Sequence, residues 1–306
     1  MRQEFFHSLG PGGFHRVAYT DWGDPTNPHV VVCVHGLARN SRDFDFLAAE
    51  LAGECRVVCM DVVGRGEGDW LEAKSDYTFS TYLNDAAAML ARVTAPPEAK
   101  WFRKSSVKAR LDWVGTSMGG LIGMFLAAKR GSPIRRLVLN DVGALVPWSA
   151  LFRIKGYITR GRRFRDLGEV EAYLREVCAP FGPLSDAQWR HLAQHSATRE
   201  DGVQSSPYVL RYDPGIGEGL HGHIDPEFPI GPDLLRGIDL WSVWSKVECP
   251  TLVLRGADSE VLPPAVLQEM RQRRPGLEVA EFPGVGHAPA LMNAEQIRVV
   301  KEFLLR

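Results

Sequence analysis

The sequence predicts an α/β fold: a mostly parallel central sheet with helices on both faces, an N-terminal antiparallel hairpin and a helical lid insertion. Three observations lead there. Short, continuous apolar runs rich in β-branched residues recur along the chain: VVVCV (30–34), RVVCM (56–60), LDWV (111–114), RLVLN (136–140) and TLVLR (251–255). Such runs suit strands buried on both faces, as a parallel sheet under helices requires. Apolar residues at helical spacing lie between the runs, and this alternation of strand with helix implies βαβ units. Residues 144–238 hold no comparable run but many aromatics, prolines and glycines, and so read as an insertion between two strands. The expected division is a core of 1–143 and 239–306 with a lid of 144–238.

The elements follow in order. Residues 3–8 and 14–22 read as a hairpin around GPGG. Phe44, Leu47, Ala48 and Leu51 recur at i, i+3, i+4 and i+7, with Gly53 as the expected stop. Ser80 is the expected N-cap of a helix to about Val93, with Leu83, Ala87 and Leu90 facing inward. The polar, basic stretch 95–110 is expected to be a solvated connection. A helix over 118–130 follows the strand at 111–114. In the lid, helices are expected at 145–160, 168–179 and 185–196, before Pro207, Pro214, Gly215, Gly217 and Gly219 mark irregular chain. Residues 264–274 begin with proline and end in arginines, which suits a helix dipole. Asn293 with Gln296 resembles a capping box for the last helix.

Composition narrows the function. The chain has 306 residues, 45% of them hydrophobic, enough for one large α/β domain or two small ones. A net charge of −1 argues against nucleic acid or any strongly charged partner. The five cysteines lack metal-ligand spacing, and Cys33 and Cys59 sit inside apolar runs, so a reduced, cytoplasmic setting is expected. The N-terminus, MRQEFFHSLGPGG, has no long apolar stretch of the secretory kind, and no run of 18 apolar residues implies a membrane span. Asp61-Val-Val-Gly-Arg-Gly lacks the spacing of a Walker or dinucleotide loop and reads as a glycine-dependent turn. No cofactor and no metal is expected.

The chemistry centres on LDWVGTSMGG (111–120). Gly115-Thr116-Ser117-Met118-Gly119 is G-x-S-x-G between a predicted strand and a predicted helix. A serine at that turn is held above the sheet, while glycines two positions either side let strand and helix approach closely. The alternative role for Ser117 is simply to cap the helix. A serine nucleophile needs a base, and the base needs an orienting acid. His287, in FPGVGHAPAL, lies on a glycine-rich loop before the last helix and is the expected base among nine histidines. Asp258 follows the strand at 251–255 and is the expected acid, with Asp141 after strand 136–140 as a rival and Glu260 a weaker one. His35-Gly36 ends another strand, so the Leu37 backbone N–H and the Met118 N–H after the serine are the expected oxyanion donors.

These features, with the D-x-x-G-x-G turn at 61–66 and the order Ser117…Asp258…His287, resemble the α/β-hydrolase fold superfamily, as a serine esterase-like member with a cap, over nearly the whole chain. The resemblance implies Ser117 as nucleophile, His287 as general base and then acid, Asp258 as orienting acid, and Leu37 and Met118 as the oxyanion hole. Gly68 departs from it, standing where many members carry serine. The implied activity is a carboxylesterase acting through an acyl-enzyme on a small-molecule ester. A carbon–carbon hydrolase of vinylogous diketones, a thioesterase or acyltransferase, and a non-catalytic ligand receptor are the other readings. Trp148, Phe152, Tyr157 and Tyr208, with Phe181 and Trp189, are candidate pocket-lining residues of the lid, packing onto the sheet being their other role. The basic run Arg153, Lys155, Arg160, Arg162, Arg163 and Arg165 reads as a solvated face or a dock for an anionic substrate.

Overall fold

A computed structural model describes residues 1–95, 109–158, 161–220 and 227–306, with only the backbone of 154–158 and 218–220. The strands are β1 (Arg2–Gly10), β2 (Gly13–Trp22), β3 (His29–Val34), β4 (Arg56–Met60), β5 (Arg110–Thr116), β6 (Ile134–Asn140), β7 (Leu145–Pro147), β8 (Arg163–Phe164), β9 (Ala197–Arg199), β10 (Tyr208–Leu210), β11 (Gly237–Asp239), β12 (Thr251–Gly256) and β13 (Glu278–Phe282). The helices are α1 (Asp45–Leu51), α2 (Phe79–Thr94), α3 (Met118–Ala127), α4 (Trp148–Ile158), α5 (Leu167–Val177), α6 (Asp186–Ser196), α7 (Trp241–Trp244), α8 (Pro264–Arg273) and α9 (Ala294–Leu305).

Eight strands form one sheet in the order β1-β2-β4-β3-β5-β6-β12-β13. β1 pairs antiparallel with β2, and β2 with β4. Every other pairing in this sheet is parallel. The apolar runs explain why. Along β3, Val30, Val32 and Val34 enter one hydrophobic cluster while Val31 and Cys33 enter another. A strand with both faces buried needs apolar residues at every position, which is the run seen in the sequence. Helices α2, α3 and α8 cover the first face and α1 and α9 the second. Each fully buried valine or leucine there contributes roughly 1.5–3 kcal/mol.

β3 lies between β4 and β5, so the chain leaves it for one neighbour and later returns to the other side. Loops at the carboxyl ends of β3 and β5 therefore diverge and open a crevice, the usual ligand position in such sheets.

Between β6 and β12 no described residue joins the large sheet. α5 and α6 pack through Val170, Leu174, Trp189 and Leu192 around Phe164 and Met292. β8, β10 and β9 form a small antiparallel sheet. The lid expectation contained no buried strand, yet β7 pairs with β11, and Leu145, Val146 and Ile238 are buried. Strands of three residues are too short to show a period. Thr78, not Ser80, caps α2, accepting from Thr81 N–H. Asn293 caps α9, but the Gln296 side chain accepts from Leu291 N–H rather than closing a box. Residues 96–108 of the expected basic connection lie outside the described residues. Among the described residues no helix is long and apolar enough to cross a membrane.

Candidate active site

Ser117 alone makes the turn from β5 to α3, with φ 52° and ψ −115°. For a residue with a Cβ this backbone costs of order 1–3 kcal/mol and persists only where the surroundings impose it. The surroundings are backbone. A Cβ on Gly115 would lie 2.2 Å from the Gly119 carbonyl oxygen, and one on Gly119 2.0 Å from that of Val34. Ser117 N–H donates to the Asn140 carbonyl at 2.9 Å, pinning the turn to β6. The Ser117 hydroxyl makes no capping bond to α3.

That hydroxyl instead meets His287. Ser117 Oγ lies 2.9 Å from His287 Nε2, and His287 Nδ1 lies 2.7 Å from Asp141 Oδ2. With the ring proton on Nδ1, where a carboxylate accepts it, Nε2 is left to accept from the serine. Asp141 is fully buried, and its charge is met by further donors: Gly256 N–H at 3.0 Å and the Ser259 hydroxyl at 2.5 Å. The expected acid, Asp258, is exposed and does not bond the imidazole; its backbone N–H donates to the Val285 carbonyl. The loop after β12 approaches the site with Gly256 N–H and Ser259 Oγ, two donors that need an acceptor, and Asp141 at the end of the adjacent strand β6 supplies it. Asn140 braces the same corner, donating to Thr116 Oγ1 and the Pro289 carbonyl.

Most other described histidines are committed elsewhere, and His7 lies exposed on β1. His15 bonds Asp85, His29 bonds Asp112, and His191 bonds the Arg42 carbonyl. His35 accepts from Val62 N–H and is fully buried; burial lowers its pKa to about 4, so it is neutral scaffold. His221 and His223 lie outside the described residues.

The loops after β3 and β4 complete the rim. Among the described residues neither the Leu37 nor the Met118 backbone N–H has an acceptor. Asp61 receives Ser41 and Glu67 N–H, and burial raises its pKa to about 6. Sequence reasoning passed over Arg65. Its guanidinium is fully buried and donates to the Leu37 carbonyl (2.8 Å), the Val63 carbonyl (2.7 Å) and Tyr82 Oη (3.0 Å), with Nη2 3.9 Å from Met118 Sδ. It therefore ties the Leu37 loop to Met118. The available signal was an arginine set between the two glycines of the turn, Gly64 and Gly66.

A cavity of about 180 Å³ opens over Ser117 and His287. Its lid-side wall is Tyr173, Leu174, Val177, Phe181 and Leu192. Of the expected lining residues, Phe181 is there. Phe152 is 70% exposed and outside it. Trp148 donates to the Leu234 carbonyl and packs on the core, Trp189 packs between α5 and α6, and Tyr208 lies under Arg199. The Tyr157 side chain lies outside the described set. Aromatic character selects residues that prefer burial, without saying which cavity they border. In the basic run, Arg153 pairs with Glu260, Arg163 with Glu200 and Arg165 with Glu169, while Arg162 lies over the Tyr173 ring, so three of the four described side chains are locally neutralised. Lys155 and Arg160 side chains are outside the described set. Cys178 borders the cavity, but burial raises its pKa to about 11, which keeps it a thiol. One described group, Asp45, His191 and His195, has metal-ligand chemistry. Arg42 fills it, donating to Asp45 and facing His195 Nδ1 at 3.2 Å.

A model of the alpha/beta hydrolase family matches residues 31–299. A 3-hydroxybutyrate-oligomer hydrolase of Cupriavidus necator is 38% identical over 99% of this chain and 97% of its own. A 2-(acetamidomethylene)succinate hydrolase of Mesorhizobium japonicum is 23% identical over 84% of this chain and 81% of its own. Among solved structures, an alpha/beta hydrolase from Novosphingobium aromaticivorans superposes with a TM-score of 0.80 at 32% identity, covering 99% of this chain and 97% of that one. A Rickettsia typhi structure gives 0.85 at 28% identity, covering 99% of each chain.

Proposed function

The chain belongs to the alpha/beta hydrolase family, and on that premise we propose that it is a serine carboxylesterase working through an acyl-enzyme. The observation that carries this is the continuous line Ser117 Oγ–His287 Nε2–His287 Nδ1–Asp141 Oδ2, at 2.9 and 2.7 Å. Ser117 attacks the ester carbonyl carbon while His287 Nε2 takes its proton. The imidazolium so formed is stabilised by the buried Asp141 carboxylate, and the oxyanion by the Leu37 and Met118 N–H groups. Collapse expels the alcohol, which takes the proton from His287. Water then attacks the acyl-enzyme with His287 as base, releasing the acid and restoring Ser117. The Cupriavidus relative acts on 3-hydroxybutyrate oligomers, which makes short oligoesters of hydroxyacids the favoured substrate class. Residues 144–238 act as a lid whose α5 and α6 wall the cavity.

The test is labelling by a fluorophosphonate together with turnover of p-nitrophenyl esters of increasing acyl length. Labelling should vanish in Ser117→Ala, and turnover should fall as the acyl chain outgrows the cavity. Labelling that persists in that variant refutes the nucleophile assignment.

A further inference from the structure

Arg65 is a buried cation that meets no anion. The residue is fully buried, and among the described residues its guanidinium contacts no carboxylate. Its partners are neutral: the Leu37 and Val63 carbonyls, Tyr82 Oη and Met118 Sδ. The Tyr82 and Tyr77 rings lie 4.9 and 5.8 Å from its guanidinium carbon. The carboxylate reached through Tyr77, Asp213, is taken by Lys74. Burying a charge is costly, and buried charges are normally paired. The acyl-enzyme steps give Arg65 no task.

The surroundings supply one. The peptide that carries the Leu37 N–H has the Gly36 carbonyl at its other end. That carbonyl accepts from His35 Nδ1 at 2.7 Å and from Arg39 N–H at 3.1 Å. His35 Nε2 accepts from Val62 N–H, so the ring proton is on Nδ1. The next peptide is held by Arg65 Nε on the Leu37 carbonyl at 2.8 Å. Both peptide planes at Leu37 are therefore gripped by their carbonyls. The Arg65 turn is clasped in its own right: Gly66 N–H donates to the Arg211 carbonyl at 2.9 Å, and Asp213 N–H to the Gly64 carbonyl at 2.8 Å.

We propose, building on the ester-hydrolase reading, that Arg65 is a positioning residue for the oxyanion hole, holding the Leu37 loop against Met118 and lending its unpaired charge to the oxyanion. The two tasks need one residue. A neutral donor would brace the loop without charge. A lysine would bring charge from a single point, whereas the guanidinium fork reaches Leu37, Val63 and Tyr82 together. A fixed charge in a water-excluded interior is weakly screened, so it acts on the oxyanion from behind the N–H donors.

The experiment compares Arg65→Met, Arg65→Gln and Arg65→Lys with the wild type. It measures kcat and KM for p-nitrophenyl butyrate and the affinity for an aliphatic trifluoromethyl ketone, to which the serine adds to form an oxyanion. End-point labelling by a fluorophosphonate counts the competent sites. Acylation and deacylation both pass through an oxyanion, so kcat falls whichever step limits. A lost oxyanion donor costs about 10²–10³ in kcat, and a residue behind the donors should cost less, about 10–100-fold per labelled site in the two neutral variants. KM should stay within about threefold, ketone affinity should fall by the same factor as kcat, and Arg65→Lys should recover part of both. If neither neutral variant folds, Arg65→Lys decides, with an expected loss of about threefold or more in kcat and in ketone affinity alike. A folded neutral variant with kcat within threefold of wild type, a loss carried by KM alone, or a fall in kcat with ketone affinity unchanged would overturn the proposal and leave the esterase standing. Arg65→Lys no better than Arg65→Met would overturn the part given to charge. A wild-type protein that neither turns over esters nor is labelled would remove the esterase reading and this one with it.

Discussion

Asp141→Asn separates the two carboxylates that compete for His287. The wild-type carboxylate takes three donors: His287 Nδ1 at 2.7 Å, Ser259 Oγ at 2.5 Å and Gly256 N–H at 3.0 Å. An asparagine keeps its oxygen on Gly256 N–H and turns its amide nitrogen toward the other two. That nitrogen donates, so His287 Nδ1 must accept, and the ring proton moves to Nε2. There it faces Ser117 Oγ, 2.9 Å away, and the imidazole can no longer take the serine proton. The same exchange in a Ser-His-Asp protease triad lowers kcat by about 10⁴, equivalent to about 5 kcal/mol of transition-state stabilisation. Asp258→Asn, at an exposed site, should change kcat by less than about twofold. Steady-state turnover of a short p-nitrophenyl ester measures both, with active-site titration to count competent enzyme and a thermal midpoint to confirm folding. A folded Asp141→Asn protein within tenfold of wild type, or a larger loss in Asp258→Asn, would refute the assignment.

Further outcomes follow from the same geometry. Gly119→Ala places a Cβ 2.0 Å from the Val34 carbonyl oxygen and should cost about 3 kcal/mol, read as a lower urea midpoint; an unchanged midpoint would contradict the close backbone approach. Burial holds His35 at about 4 in the folded protein, whereas the unfolded chain protonates it near 6.5. Its contribution is therefore fully present above about 6.5 and is lost as pH falls toward 4, by about 3 kcal/mol in all. Urea unfolding at pH 7 and pH 4.5 should show that loss, and His35→Gln should make it smaller. Phe181→Ala should shift acyl preference toward longer chains, since Phe181 borders the cavity, whereas Phe152→Ala should not, since Phe152 is 70% exposed outside it. Both are read from a series of p-nitrophenyl esters, and equal shifts in the two variants would reject this lining.

The sheet strands and the serine turn were legible because their causes are local. A strand buried on both faces has to be apolar throughout, as at 30–34 and 251–255, and a turn in which backbone touches backbone has to be glycine, as at Gly115 and Gly119. The same reasoning singled out His287, on a glycine-rich loop after the last strand, and the structure sets its Nε2 2.9 Å from Ser117 Oγ. Short-range competition blurred the rest: Thr78 and Ser80 offer equivalent capping hydroxyls, and β7 and β11 are too short for a pattern.

By itself, then, the sequence determined which strands are buried, where the chain turns sharply enough to lift a serine above the sheet, and which histidine can reach it. Only the tertiary structure decided which carboxylate bonds that histidine, which side chains of α5 and α6 face the cavity, and that Arg65 joins the Leu37 loop to Met118. Periodicity and turn chemistry act between neighbours in the chain. The choice between Asp141 and Asp258 rests on where residues 256–259 present their donors, which is settled when β12 docks beside β6.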